Sequence, residues 1–116
     1  MQDFTAQLLA LRSRLDEAAT YLRIAEQQQR RTALEAEMAD PELWNDQDRG
    51  RRVQKDLARV VEDLDLHSNL ITRLEDAETL AELASEEEDE SLEGEITEAV
   101  ADLSSRMDAL LSLIHI

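Results

Sequence analysis

The sequence predicts an all-α fold: three long helices in an antiparallel, coiled-coil-like bundle, with a short helical corner at residues 40–46. Three observations lead there. Only two glycines and one proline interrupt 116 residues, and these are the residues that most disfavour helix interiors. Apolar residues recur at alternating spacings of four and three along most of the chain, the 3.5-residue period of a seam between helices. Aromatic residues make up 3% of the composition, so the core has to be Leu, Ala, Val and Ile meeting at such seams.

The first helix begins at Asp3 or Thr5. Phe4, Leu8, Leu11, Leu15, Ala18, Leu22 and Ala25 form its seam, and Leu9 widens the stripe as a bundle helix requires. The seam then weakens through the consecutive polar residues Gln27, Gln28, Gln29, Arg30 and Arg31, and a break or kink is expected between Thr20 and Ala25. Leu34 and Met38 resume the apolar face.

The corner Asp40, Pro41, Glu42, Leu43, Trp44, Asn45 and Asp46 holds the only proline and the only tryptophan. Pro41 has no N–H and its ring clashes with the carbonyl four residues back, so the incoming helix ends near Ala39. Asp40 followed by Pro41 is also a helix start, and Asn45 or Asp46 can cap the next helix. Trp44 is expected to be the buried anchor of the corner, packed against both helices near Leu43 and Met38.

The second helix is expected over residues 47–74. Val53, Leu57, Val60, Leu64, His67, Ile71 and Leu74 carry the clearest period in the chain, over a length of roughly 40 Å. Only the corner separates it from the preceding helix, so the two should pack antiparallel. Residues 76–84 read as a continuation or as a short helix capped by Asp76. The acids Glu86, Glu87, Glu88, Asp89 and Glu90 repel one another and read as a solvated loop; they lack the spacing and turn glycine of a calcium loop. A last helix starts near residues 89–91, with Leu92, Ile96, Ala99, Leu103, Met107 and Leu110 as its stripe. The domain is taken as residues 1–110. The tail of Leu111, Ser112, Leu113, Ile114, His115 and Ile116 is apolar and uncapped, and reads as a truncation point or a non-native end.

Charge limits function. Acids outnumber bases 28 to 12, a formal net charge of −16, which argues against a free-standing DNA or RNA binder. There is no cysteine, hence no disulfide framework or thiolate metal site. No apolar run approaches the roughly 20 residues of a membrane span, and no signal peptide opens the chain, so a cytoplasmic protein is expected. No catalytic, cofactor-binding or metal-ligating constellation stands out. His67 falls on a seam, where a polar residue sets register or sits at the wet edge, and His115 lies in the tail. One cluster does stand out: Arg49, Arg51, Arg52, Lys55 and Arg59 place five of the twelve bases in the first turns of the second helix, the end where the helix dipole disfavours cations. They either pair with acids of the neighbouring helix or form a patch for rRNA or an acidic protein partner.

The run Leu34, Glu35, Ala36, Glu37, Met38, Ala39, Asp40, Pro41, Glu42, Leu43, Trp44, Asn45, Asp46 resembles the N-terminal helical domain of bacterial class I peptide chain release factors, in the release factor 2 branch. The shared pattern is a Leu- and Glu-rich helix, Asp-Pro, two residues, Trp-Asn-Asp, then a long charged helix. The resemblance reaches back to Asp3, Phe4, Thr5, Ala6, Gln7 and Leu8, and forward through Leu80, Ala81, Glu82, Leu83 and Ala84 to the acidic run. Arg23, Ile24 and Ala25 depart from it, standing where the family commonly has acidic or capping residues. The resemblance implies a domain acting in translation termination that faces the ribosomal stalk base and a partner GTPase, with no cofactor. In that family a Ser-Pro-Phe tripeptide reads the stop codon and a Gly-Gly-Gln loop triggers peptidyl-tRNA hydrolysis. This sequence contains neither, so no enzymatic activity is expected of it. The rival reading is an acidic coiled-coil adaptor that self-associates through the same seams; the sequence leaves the oligomeric state open.

Overall fold

The computed structural model describes residues 2–114. The described residues are helical, with no strand: α1 spans Thr5–Tyr21, α2 Ile24–Met38, α3 Gln47–Glu87 and α4 Glu93–Ile114, with single 3-10 turns at Leu43–Asn45 and Glu90–Leu92. Where three long helices are expected, four form, because the break expected between Thr20 and Ala25 is complete. Asp3 accepts the Thr5 N–H at 2.9 Å and so caps α1. At the other end, Arg23 adopts φ 54° and ψ 49°, a left-handed conformation that ends one helix and lets the next begin. The turn shifts the apolar phase by one residue: Ile24 is buried and Ala25 is exposed.

The chain forms two compact units, Met1–Tyr21 with Ser68–Ile116, and Leu22–His67. In the first, α1 packs against α4 and both line the C-terminal part of α3. Phe4, Leu8, Leu11, Leu15 and Ala18 are buried from α1, Leu70, Leu74, Ala77 and Ala84 from α3, and Ile96, Leu103, Met107 and Leu110 from α4. Ion pairs fix the order around this core. The Arg12 guanidinium donates to Glu78 from Nε at 3.0 Å and from Nη2 at 2.6 Å. Arg14 reaches Asp108 at 2.5 Å, and Arg73 reaches Asp102 at 3.3 Å. The forked hydrogen bonds from Arg12 hold the Glu78 carboxyl below its ordinary pKa, against the opposing pull of burial.

Helix α3 does not stop at Leu74 but continues to Glu87. Asp76, a possible cap in the sequence, is an exposed mid-helix residue next to buried Ala77; a buried alanine at that point favours continuation over a new start. The helix ends in a Schellman arrangement. The Asp89 N–H reaches the Ala84 carbonyl at 2.9 Å, the Glu88 N–H lies 3.4 Å from that of Ser85, and Glu88 takes φ 51°, the place usually filled by glycine. Asp89 then accepts the Ser91 hydroxyl at 2.5 Å and the Ser91 N–H at 2.9 Å, which in that order lower its pKa. Helix α4 carries residues 111–114 of the expected tail, while His115 and Ile116 lie outside the described residues.

In the second unit, α2 lies antiparallel to the first half of α3. Gln27 donates to Asp63 at 3.2 Å, Arg30 to Asp56 at 3.3 Å, and Arg49 sits 4.0 Å from Asp40 at the corner. The core here is Ile24, Leu34, Leu43, Val53, Val60 and Leu64. His67, at the end of this unit, is half-buried on the seam.

The corner differs from expectation at its anchor. Leu43 is fully buried and Trp44 is 48% exposed. A 3-10 turn places consecutive side chains about 120° apart, so only one of the pair can face inward, and Leu43 does. Trp44 instead lies flat on Gly50 of α3: a Cβ at that glycine would meet three ring atoms at 2.5, 2.7 and 2.9 Å. Asp40 accepts the Glu42 N–H at 2.9 Å, bending the chain through Pro41. Asp46 accepts the Arg49 N–H at 3.2 Å, which makes Asp46, not Asn45, the cap of α3.

Candidate functional site

The basic cluster occupies the first three turns of α3, and the structure divides it in two. Arg49 leans back to Asp40 across the corner, and Arg51 pairs with Asp48 three residues earlier, at 3.0 Å. These two are neutralised locally. Arg52, Lys55 and Arg59 are exposed, and among the described residues none has an ion-pair partner. Their spacing of three and four residues stacks them on one face, with neighbouring Cβ atoms about 5–6 Å apart. Asp56 lies within a turn of Arg59 but pairs with Arg30 instead. The result is a three-cation stripe on a helix buried along the opposite side by Val53, Val60 and Leu64.

Arg59 also lines a groove of about 420 Å³ between α2 and α3, with Arg23, Arg30, Leu22 and Val60 among its other walls. Arg23 is exposed and strained at φ 54°; its carbonyl accepts the Gln27 N–H at 2.9 Å, and its guanidinium has no ion-pair partner among the described residues. Arg23 and Arg30 therefore bring cations to the α2 side of the groove, where Arg30 is paired with Asp56 and Glu26 and Asp63 also line the wall. Sequence reasoning missed both, since only the α2–α3 pairing brings them beside Arg59. Of the corner residues, Asp40, Asn45 and Asp46 shape the turn, Pro41 redirects the chain, and Trp44 leaves one face of its ring in solvent beside the first turn of α3.

Charge is unevenly shared between the units. Residues 22–67 hold 8 bases and 11 acids, a net of −3, whereas residues 1–21 with 68–116 hold 4 bases and 17 acids, a net of −13. The cation stripe is thus a place where exposed positive charge is locally unpaired on a strongly acidic chain. It can attract phosphates or carboxylates but holds no group poised for proton transfer or nucleophilic attack.

Residues 27–115, which take in most of α2, the corner, α3 and all of α4, match the PCRF domain family. The chain belongs to that family. This PCRF domain chain is also similar to proteins named peptide chain release factor 2. The Corynebacterium glutamicum (strain R) protein is 38% identical over 108 residues, 93% of this chain and 29% of the relative. The Nocardia farcinica protein is 39% identical over 100 residues, 86% of this chain and 27% of the relative. The Pseudoalteromonas translucida protein is 34% identical over 107 residues, 90% of this chain and 28% of the relative. The chain spans under a third of the length of these relatives. Among the described residues of this PCRF domain chain, no helix is long and apolar enough to cross a membrane.

Proposed function

We propose that this chain is the helical first domain of a bacterial class I release factor and acts in translation termination on cytoplasmic ribosomes, where it contacts the stalk base or the partner GTPase. The observation that carries this reading is the similarity to release factor 2 proteins over 86% or more of the chain, supported by family membership over residues 27–115. The piece itself does not read codons or hydrolyse peptidyl-tRNA, for its 116 residues contain neither a Ser-Pro-Phe nor a Gly-Gly-Gln sequence. Its part is attachment.

The contact surface in this reading is the stripe of Arg52, Lys55 and Arg59, flanked by Arg49 and Arg51. Unpaired exposed cations on an acidic chain speed encounter with an anionic surface and make binding salt-sensitive. The test is co-sedimentation with ribosomes at two salt concentrations, comparing the chain with an Arg52→Glu, Lys55→Glu variant. Binding that weakens with salt and is lost in the variant is expected. Equal binding by both removes the stripe from the reading. Peptide release by the chain alone would overturn the assignment as a whole.

A further inference from the structure

A second surface lies far from the basic stripe in character and is independent of it. Between the first turns of α1 and the last turns of α3 runs a groove of about 630 Å³. Its floor is apolar: Phe4 and Leu8 are buried at its base, while Leu9 stands 62% exposed along it. Its rim is acidic, with Asp3 on one side and Glu78, Glu82 and Glu86 on the other. Asp3 is occupied by the Thr5 N–H and Glu78 by Arg12. Glu82 and Glu86 are exposed and have no polar partner among the described residues.

We infer that this groove is the docking site for a cationic amphipathic helix of a protein partner. The end of α3 breaks local rules in a way that such a partner would relieve. Glu82 and Glu86 are like charges four residues apart, an unfavourable pair on a helix. The last turn of α3 contains acids and no base, although the helix dipole there favours cations. Glu88 follows in a left-handed conformation that disfavours a side chain. A row of lysines or arginines laid along the rim neutralises the carboxylates and the dipole end together. The apolar face of the same helix covers Leu9, and two parallel ridges with a floor between them suit a helix carrying anchors every three or four residues. The carboxylates repel nucleic acid and anionic lipid. They also disfavour a second copy of this chain, which carries the same −16.

The test uses a dye-labelled synthetic helix of lysine and leucine, roughly 14 residues or four turns long, followed by fluorescence anisotropy at about 150 mM salt. A peptide of the same composition in shuffled order is the control for bulk charge. Leu9→Gln leaves the charge unchanged and alters an exposed position, so the variant folds. It should weaken binding about tenfold, as the loss of one buried leucine contact implies. Glu82→Gln with Glu86→Gln should weaken it by a similar factor, whereas Glu37→Gln with Glu42→Gln, the same charge change elsewhere, should not. Equal binding of the shuffled peptide, or indifference to Leu9→Gln, overturns the inference. So does a chain dimer that Leu9→Gln dissociates, because the groove would then belong to a second copy. None of these variants touches the basic stripe, so this result and the ribosome experiment fail separately.

Discussion

Two residues without glycine's freedom sit where glycine is the usual choice. Arg23 and Glu88 hold φ values of 54° and 51°, and a side chain in that region costs about 1–2 kcal/mol. Glu88→Gly should therefore raise the urea-unfolding free energy by about 1 kcal/mol, and would also remove one charge from a run of five acids. The corner makes a second contrast. Leu43→Ala should cost about 2–5 kcal/mol, the range for a fully buried leucine. Trp44→Ala should cost only about 1–2 kcal/mol, because half of the ring is already in water. Paired denaturant titrations separate the two, and a larger loss for Trp44→Ala would reverse the order of anchors. Gly50 explains why the ring settles where it does, since any side chain at that position would lift it off the helix.

At the scale of elements, the seams were legible and their partners were not. The four-and-three spacing of α3 and α4 is backbone geometry, so Val53, Val60, Leu64, Leu74, Ile96, Leu103, Met107 and Leu110 are buried as the period demands. Leu70 escaped notice because α3 is flanked by both α1 and α4 in its second half, which widens its apolar stripe beyond a single seam. The break before α2 could be placed, since the period fails there, but the residue that turns the chain could not: arginine carries no turn signal. Trp44 was misjudged because size suggests burial, while the phase of a single 3-10 turn decides which neighbour faces inward. The stripe of Arg52, Lys55 and Arg59 was visible as a cluster, but its separation from Arg49 and Arg51 depends on which acids lie within reach. The joint between α1 and α3 offers a pH test. Arg12 holds the Glu78 pKa below the ordinary value of 4.5, so the folded chain binds fewer protons there than the unfolded chain. The contribution is complete above that ordinary value and is lost as pH falls through the depressed one. Glu78→Gln should cost about 1 kcal/mol at pH 7, the upper end for a partly exposed pair. The difference from the parent chain should close on acidification, read from melting curves across that range.

For the whole molecule, charge and chain order set the terms. A net of −16 opposes compaction, and most of it falls on residues 1–21 and 68–116. Raising salt from about 10 to 150 mM shortens the Debye length from about 30 to 8 Å, so the melting temperature should rise over that range; a fall would mean that the cross-helix ion pairs outweigh the repulsion. The same division of the chain has a consequence during synthesis. Residues 22–67 are contiguous and can close into their helical hairpin as soon as they leave the ribosome. The other unit is discontinuous: α1 precedes residues 22–67, but the segments it packs against begin at residue 68. At about 5–20 residues per second, making that remaining stretch takes several seconds. Throughout that wait Phe4, Leu8, Leu11 and Leu15 have no core of their own to enter, and their apolar stripe is open to chaperones. Of these four helices, the one made earliest is secured only after the later ones have followed.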